Sequence, residues 1–597
     1  MSSNIKSYFG FNEYELAEGE ENECQSDESS SDDSEDSVHN GEIELNADDS
    51  QDTGENFMAE FEVQLERMEQ AKATLEKSQF NYQAHLDLIT AAKAANEFEE
   101  LRSARETFSK LFPLSPSLWL DWIKDERRQL SSTSYDDESK EKISKNIKEL
   151  FERAVADYTS FDVWFEYCQW YIGYADNHDQ VRDLFETALA AVGLQANKGC
   201  LIWDVYREFE LAILASLPSS DCSSAAHGKA RERVDKLFNR VLVLPLCGIE
   251  QVKTEYEQFL TEERKRNGTD GGCVATEPEL DAGLLAGHNA ALKRLEILMP
   301  LEDDLESTEM PRLAAYQAYI KQELSWRDPA RIQLIYNRAL VENCLNAQLW
   351  LEYTRYLVGT IKHHPTTLTA YARAVRNCPW VSRLWIERLL ALERAAEPRE
   401  TIETIFNDAL KQGGYSSAYE GVQLWLTYVY GVKRLCDITA QNALERGDDK
   451  PKPKPDYALV SQGFTHGCEA LKAAFGQLAW DPQATYRRAW AHFEAKFCRN
   501  MPVARTIWDG LLKEAGNARY VAVWLEYISL ERQFGNVANA RKLFTLAVNS
   551  VSDAPEAICD SFVAFENEEG TLVDLDVARM KIEAQLERVQ SRRDEQE

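Results

Sequence analysis

No two of the twelve cysteines, which run from Cys24 to Cys559, form a CxxC pair. Zinc ribbons and thioredoxin-type redox sites need that spacing, so neither is expected. Thiols scattered singly through a large chain suit a reducing compartment, cytosol or nucleus. No run of about 18 apolar residues occurs, which argues against a membrane-spanning helix. The opening MSSNIKSYFG lacks the apolar stretch of a signal peptide. Also missing are the GxxxxGK(S/T) and GxGxxG phosphate loops, the HExxH metal motif and the GxSxG nucleophile elbow. His363 and His364 are adjacent, so their rings diverge on a helix and they read as exposed residues rather than ligands. With 101 Asp and Glu in the chain, pairs such as Glu99 and Glu100 arise by composition and do not indicate acid–base catalysis. The expectation is a non-enzyme with no cofactor and no metal.

Positive charge is short as well. There are 66 Lys and Arg against 101 acids, a formal net charge of −35. Nucleic-acid binding draws much of its affinity from Lys and Arg neutralising phosphates, so protein partners are the default. The charge is uneven. Residues 1–60 hold 19 acids and one lysine, so about half of the net charge lies in a tenth of the chain. Ser26 to Ser37 reads SDESSSDDSEDS, too poor in apolar side chains to offset its ordering entropy. Residues 1–56 are therefore expected to be a disordered acidic tail; a docking segment tuned by serine phosphorylation is the alternative. The short basic runs Arg264–Arg266 and Lys450–Lys454 read as solvated loop charge.

What the chain has in plenty is aromatic residues at regular intervals: 14 Trp, 24 Tyr and 24 Phe among 597 residues. A single hydrophobic core rarely grows past roughly 250–300 residues, so several domains or a solenoid is expected. From about residue 80 a two-part unit recurs. Its first half is Trp-x-x-Tyr/Trp/Phe, often with a following Glu, as in LWLDWIKDE (Leu118–Glu126), IWDVYREFE (Ile202–Glu210) and VWLEYISLE (Val523–Glu531). Its second half is roughly Ala-Arg-x-x-Phe/Tyr-x-Arg-Ala-Leu, as in VRDLFETAL (Val181–Leu189) and LIYNRALVENC (Leu334–Cys344). Lead tryptophans stand at 119, 164, 203, 350, 385, 425, 490 and 524, with gaps of 45, 39, 35, 40 and 34 where none is missing between. A period of about 34 or a little more means two short helices per repeat.

Spacings of three and seven put Trp119, Trp122 and Glu126 on one helical stripe, as they do Trp203, Tyr206 and Glu210. One hairpin cannot bury such a stripe alone; stacking does so between neighbours. The expected repeat core comprises Trp119, Trp122, Trp164, Tyr167, Trp203, Tyr206, Trp350, Tyr353, Trp385, Trp425, Tyr428, Trp490, Phe493, Trp524 and Tyr527. Arg153, Arg240 and Arg338 of the second helices are candidates to pair with the first-helix Glu, the alternative being two solvated charges. Insertions at Arg127–Glu141, Leu217–Gly228, Asn267–Gly287 and Glu445–Pro455 read as exposed loops. The expected architecture is an all-α superhelical solenoid of about twelve helix–turn–helix repeats. Its halves are residues 57–300 and 301–597, with the segment Asn267–Gly287, ending near Met299-Pro300, as the candidate break.

The units resemble HAT (half-a-TPR) repeats, whose first helix carries Trp-x-x-Tyr/Phe with a following Glu and whose second ends in an aromatic, Arg, Ala pattern. That resemblance implies RNA processing. A longer match covers residues 80 to about 590. The acidic start, LWLDWIKDE, VWFEYCQWYIG, VRDLFETALAAVGLQANKGCLIWDVYREFE and LWLEYTRYL are similar to the family of U4/U6 snRNP recycling factors. It implies a nuclear scaffold that binds spliceosomal snRNP proteins, with a second half that forms a homodimer and recruits ubiquitin-specific proteases. That family carries RNA-recognition motifs after its HAT domain, and none is found before SRRDEQE. RNA contact is therefore expected to be indirect. A HAT subunit of mRNA 3′-end processing or ribosomal RNA maturation, or a direct RNA binder through the superhelix, remains the alternative. No sequence feature assigns the partner-binding residues.

Overall fold

The computed structural model describes residues 49–594, apart from 131–136, 218–224, 267–279, 308–309, 414, 446–454, 478 and 515. Most of the acidic tail, parts of all four insertions and the Lys450–Lys454 run therefore lie outside the described residues. Among those described there is no strand. The described residues form a train of antiparallel helices: a leading helix α1 (Asp49–Lys77) and then twelve helix pairs.

The chain divides into two compact units, residues 1–349 and 350–597. The first holds α1 and six pairs: α2 (Tyr82–Ala94) with α3 (Phe98–Leu111), α4 (Pro116–Leu130) with α5 (Asp137–Asp157), α6 (Phe161–Tyr174) with α7 (His178–Val192), α8 (Gly199–Ser216) with α9 (Ala225–Val241), α10 (Ile249–Arg266) with α11 (Ala282–Glu306), and α12 (Arg312–Trp326) with α13 (Pro329–Glu342). Arg127–Leu130 and Asp137–Glu141, read as loop from sequence, extend α4 and α5 instead. Met299 and Pro300 lie inside α11 rather than at a break.

The second unit begins within α14 (Ala347–Tyr356), which ends in a π turn at Leu357–Ile361 and pairs with α15 (His364–Asn377). It continues with α16 (Ser382–Arg394) and α17 (Arg399–Asp408), α18 (Ala418–Glu445) and α19 (Ala458–Phe475), and α20 (Thr485–Phe493) and α21 (Met501–Lys513). It closes with α22 (Val521–Phe534) and α23 (Val537–Ser550), then α24 (Pro555–Glu569) and α25 (Leu572–Asp594).

Local chemistry sets the turns. Asn81, Asn177, Asp328 and Asn536 cap second or first helices with side-chain oxygens that accept from the exposed N–H groups. Asp328 is followed by Pro329, whose fixed φ and missing N–H suit the first helical position. Several first helices end in a left-handed residue that is not glycine: Asn96, Arg327, Lys362, Ala396 and Arg499, all with φ of 54–57°. Buried Ala154, Ala188 and Ala339 let second helices approach closely. One contact skips neighbours: the Arg331 guanidinium on α13 donates to the Leu194 carbonyl between α7 and α8 at 3.1 Å.

Candidate functional site

The two halves of the sequence motif meet across the boundary between consecutive repeats. The second-helix aromatic stacks on the Tyr or Phe three residues after the next repeat's lead position. Phe151 lies on Tyr167 at 4.7 Å, Phe185 on Tyr206 at 4.7 Å, Phe406 on Tyr428 at 3.9 Å and Phe544 on Phe562 at 5.1 Å. These are near-parallel stacks, which add to the area each ring buries. Burial pushes the Tyr167, Tyr206 and Tyr527 hydroxyls above their ordinary range.

The arginine three residues before that aromatic follows the same path. Arg182 reaches Glu210, Arg505 reaches Glu531 and Arg541 reaches Glu566, at 2.5, 2.6 and 2.6 Å. In each case the carboxylate belongs to the following first helix and is almost wholly buried. Arg102 makes the equivalent fork on Glu126, with bonds of 2.8 and 2.7 Å. The hydrogen bonds from Glu531 and Glu566 hold the Arg505 and Arg541 guanidiniums above the usual arginine value. Planar two-point pairing of this kind fixes geometry as well as charge.

Arg153, Arg240 and Arg338, the expected partners of the first-helix Glu, do something else. Each lies over an aromatic ring of its own repeat: Trp119 and Trp122 for Arg153, Trp203 for Arg240, Tyr319 for Arg338. Each then pairs backwards to the preceding second helix, with Glu106 at 2.8 Å, Glu186 at 2.7 Å and Glu302 at 2.7 Å. On α9 both directions occur on one helix: Arg231 reaches forward to Glu263 at 3.4 Å and Arg240 back to Glu186, so that helix ties three consecutive repeats. Arg331 of α13 instead pairs with Glu323 of its own repeat.

Most lead tryptophans are interior. Trp119, Trp122, Trp164, Trp203, Trp350, Trp385, Trp425 and Trp524 are buried, as are Tyr167, Tyr206, Tyr353, Phe493 and Tyr527; Tyr428 and Trp490 are half-buried. Several indoles also tie down the segment that leads into their own helix. Trp203, Trp385 and Trp524 donate to the carbonyls of Gly193, Pro379 and Ala518 at 3.0, 2.8 and 2.8 Å. Trp119 donates instead to Asp157, which also accepts from the Leu114 N–H. His363 and His364 are exposed.

Among the described residues, two open cavities of the first unit stand out. One of about 460 Å³, between α1 and α2, is lined by polar groups including Gln64, Gln70, Asn81 and Gln83. The other, about 270 Å³, is walled by pairs that already satisfy each other, Arg312–Glu342 at 2.7 Å and Lys198–Asp162 at 3.2 Å among them. Among the described residues no group of three or more His, Cys, Asp or Glu is arranged to hold a metal ion. No helix there is long and apolar enough to cross a membrane.

Residues 69–261 match the family described as PRP39 N-terminal HAT repeat. This is a HAT-repeat protein. The HAT chain is 37% identical over 536 residues to spliceosome associated factor 3, U4/U6 recycling protein, of Mus musculus, covering 89% of this chain and 50% of that relative. It is 22% identical over 524 residues to the mRNA 3′-end-processing protein rna14 of Schizosaccharomyces pombe, covering 81% of this chain and 66% of that relative. The crystal structure of CstF-77 aligns with 80% of this chain and 91% of its own at 14% identity and a TM-score of 0.35. The chain spans about half the length of the recycling relatives it matches.

Proposed function

We propose that this chain is a non-enzymatic nuclear scaffold of the U4/U6 recycling type, which holds snRNP proteins and ubiquitin-specific proteases through its HAT repeats. The observation that carries the reading is the 37% identity to the U4/U6 recycling protein, extending over 89% of the chain. Identity that spans both units argues for shared use of the whole stack rather than of one repeat. The geometry supports it physically. Aromatic stacks and buried ion pairs consume the signature residues in holding repeats together, which leaves the exposed faces for partners.

The second unit is the proposed site of self-association. Its last helix, α25, leaves Val573, Val577 and Met580 exposed on one stripe, 71, 44 and 69% accessible. A terminal repeat that needed only water as neighbour would carry a polar outer face. The alternative is a scaffold for mRNA 3′-end processing, favoured by the 22% identity to rna14.

Affinity capture from nuclear extract tests the proposal, with nuclease treatment and identification by mass spectrometry. Recovery of U4/U6 particle proteins or ubiquitin-specific proteases after nuclease supports it. Recovery of cleavage factors instead supports the alternative. Loss of every partner with nuclease would mean that contacts run through RNA and would overturn the protein-mediated scaffold.

A further inference from the structure

The second unit carries a ridge of positive charge that the acidic composition conceals. It runs along the second halves of successive first helices and the turns that follow them. Arg355 lies in the last turn of α14 and Lys362 closes the π turn after it, Arg394 ends α16, Lys433 and Arg434 lie on α18, Lys496 and Arg499 follow α20, and Arg532 lies near the end of α22. Neighbouring members are linked by contacts from one repeat to the next. Arg434 bonds Glu393, the neighbour of Arg394, and Lys433 lies 4.5 Å over the Phe497 ring. Arg499 lies 6.0 Å over Phe534, and Arg532 5.5 Å over Phe565.

The decisive feature is how these cations are held. Away from the ridge several arginines that cross repeats end on carboxylates, as Arg182, Arg240, Arg505 and Arg541 do. On the ridge, Lys433, Arg434 and Arg532 have acidic partners in Asp437, Glu393 and Glu568. Arg355, Lys362, Arg394, Lys496 and Arg499 are exposed and form no ion pair among the described residues. Lys496 and Arg499 rest on aromatic rings instead. A ring orients a cation without neutralising it, so the charge stays available to solvent.

Helix-end electrostatics does not account for the ridge. A cation at a helix C-terminus gains roughly 0.3–1 kcal/mol from the helix dipole. First helices of the first unit also carry end cations, and Arg327 closes α12, but those of α2 and α4 are paired: Lys93 with Asp121, Arg127 with Glu166 and Arg128 with Asp125, while α6 runs into Ala175, Asp176 and Asn177 with none. In the second unit the device is built twice in the same form. A π turn (Leu357–Ile361, Glu494–Cys498) widens the last turn, and a left-handed cation (Lys362, Arg499) closes it with its N–H on the first carbonyl of that turn. Single-turn π segments of this kind recur at functional sites.

We propose that this ridge, from Arg355 to Arg532, is a direct binding surface for single-stranded RNA. A linear polyanion fits cations set out repeat by repeat. The interleaved, half-buried Phe497 and Phe534 and the planar guanidiniums decide between RNA and an acidic peptide. Bases gain by stacking on rings and guanidinium planes, whereas carboxylate side chains do not. The ridge is independent of the recycling reading, since protein capture and RNA binding are measured separately.

The test is fluorescence anisotropy of the full chain with a labelled oligouridylate of about 15 nucleotides across a salt series. The expected result is salt-dependent binding. The paired change Lys496→Glu with Arg499→Glu weakens it at least about tenfold and lowers the slope of log affinity against log salt by about 1.4, for two phosphate contacts. Lys142→Glu with Lys236→Glu, the same charge change on second helices of the first unit, leaves binding intact. Arg355→Ser with Arg394→Ser weakens it independently, in case the first pair perturbs folding. The proposal is overturned if the wild-type chain shows no binding. Equal loss in the first-unit control overturns it too, and so does displacement of the RNA by poly-glutamate at matched charge, which would assign the ridge to an acidic protein.

Discussion

Arg182 of α7 forks onto Glu210 of α8 in the next repeat, with nitrogen–oxygen distances of 2.5 and 3.2 Å, and the carboxylate is fully buried. Removing one member of such a pair leaves an uncompensated charge out of water. Arg182→Ala is therefore expected to cost about 3–5 kcal/mol, whereas the double change Arg182→Met with Glu210→Met recovers most of that loss. Hydrogen exchange of α7 and α8 checks this locally, which matters because a chain of two units need not unfold in one step. A double variant as unstable as the single one would show that Glu210 is not strained by losing its partner.

Tryptophan truncation should scale with burial. Trp203 is 3% exposed and its indole N–H is bonded to Gly193, so Trp203→Ala is expected to cost about 3–5 kcal/mol. Trp490 is only half-buried, and the same truncation there removes less area from the core. The check is urea denaturation of the two variants side by side. Equal losses would mean that Trp490 is more enclosed in solution than its accessibility indicates.

The helix pairs were legible because the lead Trp, the residue three later and the Glu seven later share one face, and only a stacked neighbour can bury it. The wiring of the charges was not. The second helices place an arginine three residues before the aromatic, as Arg182 and Arg541, or two after it, as Arg153 and Arg240. Spacing along one helix does not say which flanking repeat each faces. The structure assigns the earlier one, Arg182 or Arg541, to the following repeat and the later one, Arg153 or Arg240, to the preceding repeat. Pro300 was misleading for a local reason: a proline costs its helix one N–H bond and a kink, yet α11 runs through it with Leu298 and Glu302 still buried. The ridge was illegible because its cations are far apart in sequence. They are brought into line only by the repeat stack.

Glycine positions give a paired prediction. A Cβ on Gly467 of α19 would meet the Tyr486 hydroxyl at 2.1 Å and the Trp425 ring at 2.8 Å, and that hydroxyl already donates to the Phe464 carbonyl. Gly467→Ala is expected to destabilise the second unit by about 1–3 kcal/mol through overpacking. Gly510 of α21 has open space around it, so Gly510→Ala is expected to stabilise by about 0.5–1 kcal/mol. Thermal melts of the two single variants shift in opposite directions if the packing is as described; a neutral Gly467→Ala would contradict it.

Thiol reactivity follows burial. Cys168 and Cys200 are buried, and burial pushes their thiols up to about 12. Since the thiolate is the nucleophile, both are expected to resist iodoacetamide at pH 8 until the chain is denatured. Peptide mapping after native and denatured alkylation reads this directly, and rapid native labelling of Cys168 would show that α6 opens.

The acid response of the second unit should report on His492. Burial lowers its pKa below the ordinary histidine value, the nearby Lys496 lowers it further, and Glu526 opposes them. A histidine depressed in the fold binds protons more readily once unfolded. Its contribution is therefore present above the unfolded value, about 6.5, and is lost as pH falls through the folded one. Wild-type stability is expected to decline below about pH 6.5, and His492→Gln to flatten that part of the profile. The Lys496 term ties this titration to the ridge, because Lys496→Glu replaces a repelling charge by an attracting one and should raise the His492 midpoint in a proton NMR titration. A midpoint that stays fixed in that variant would place Lys496 too far from His492 for the two to share one electrostatic surface.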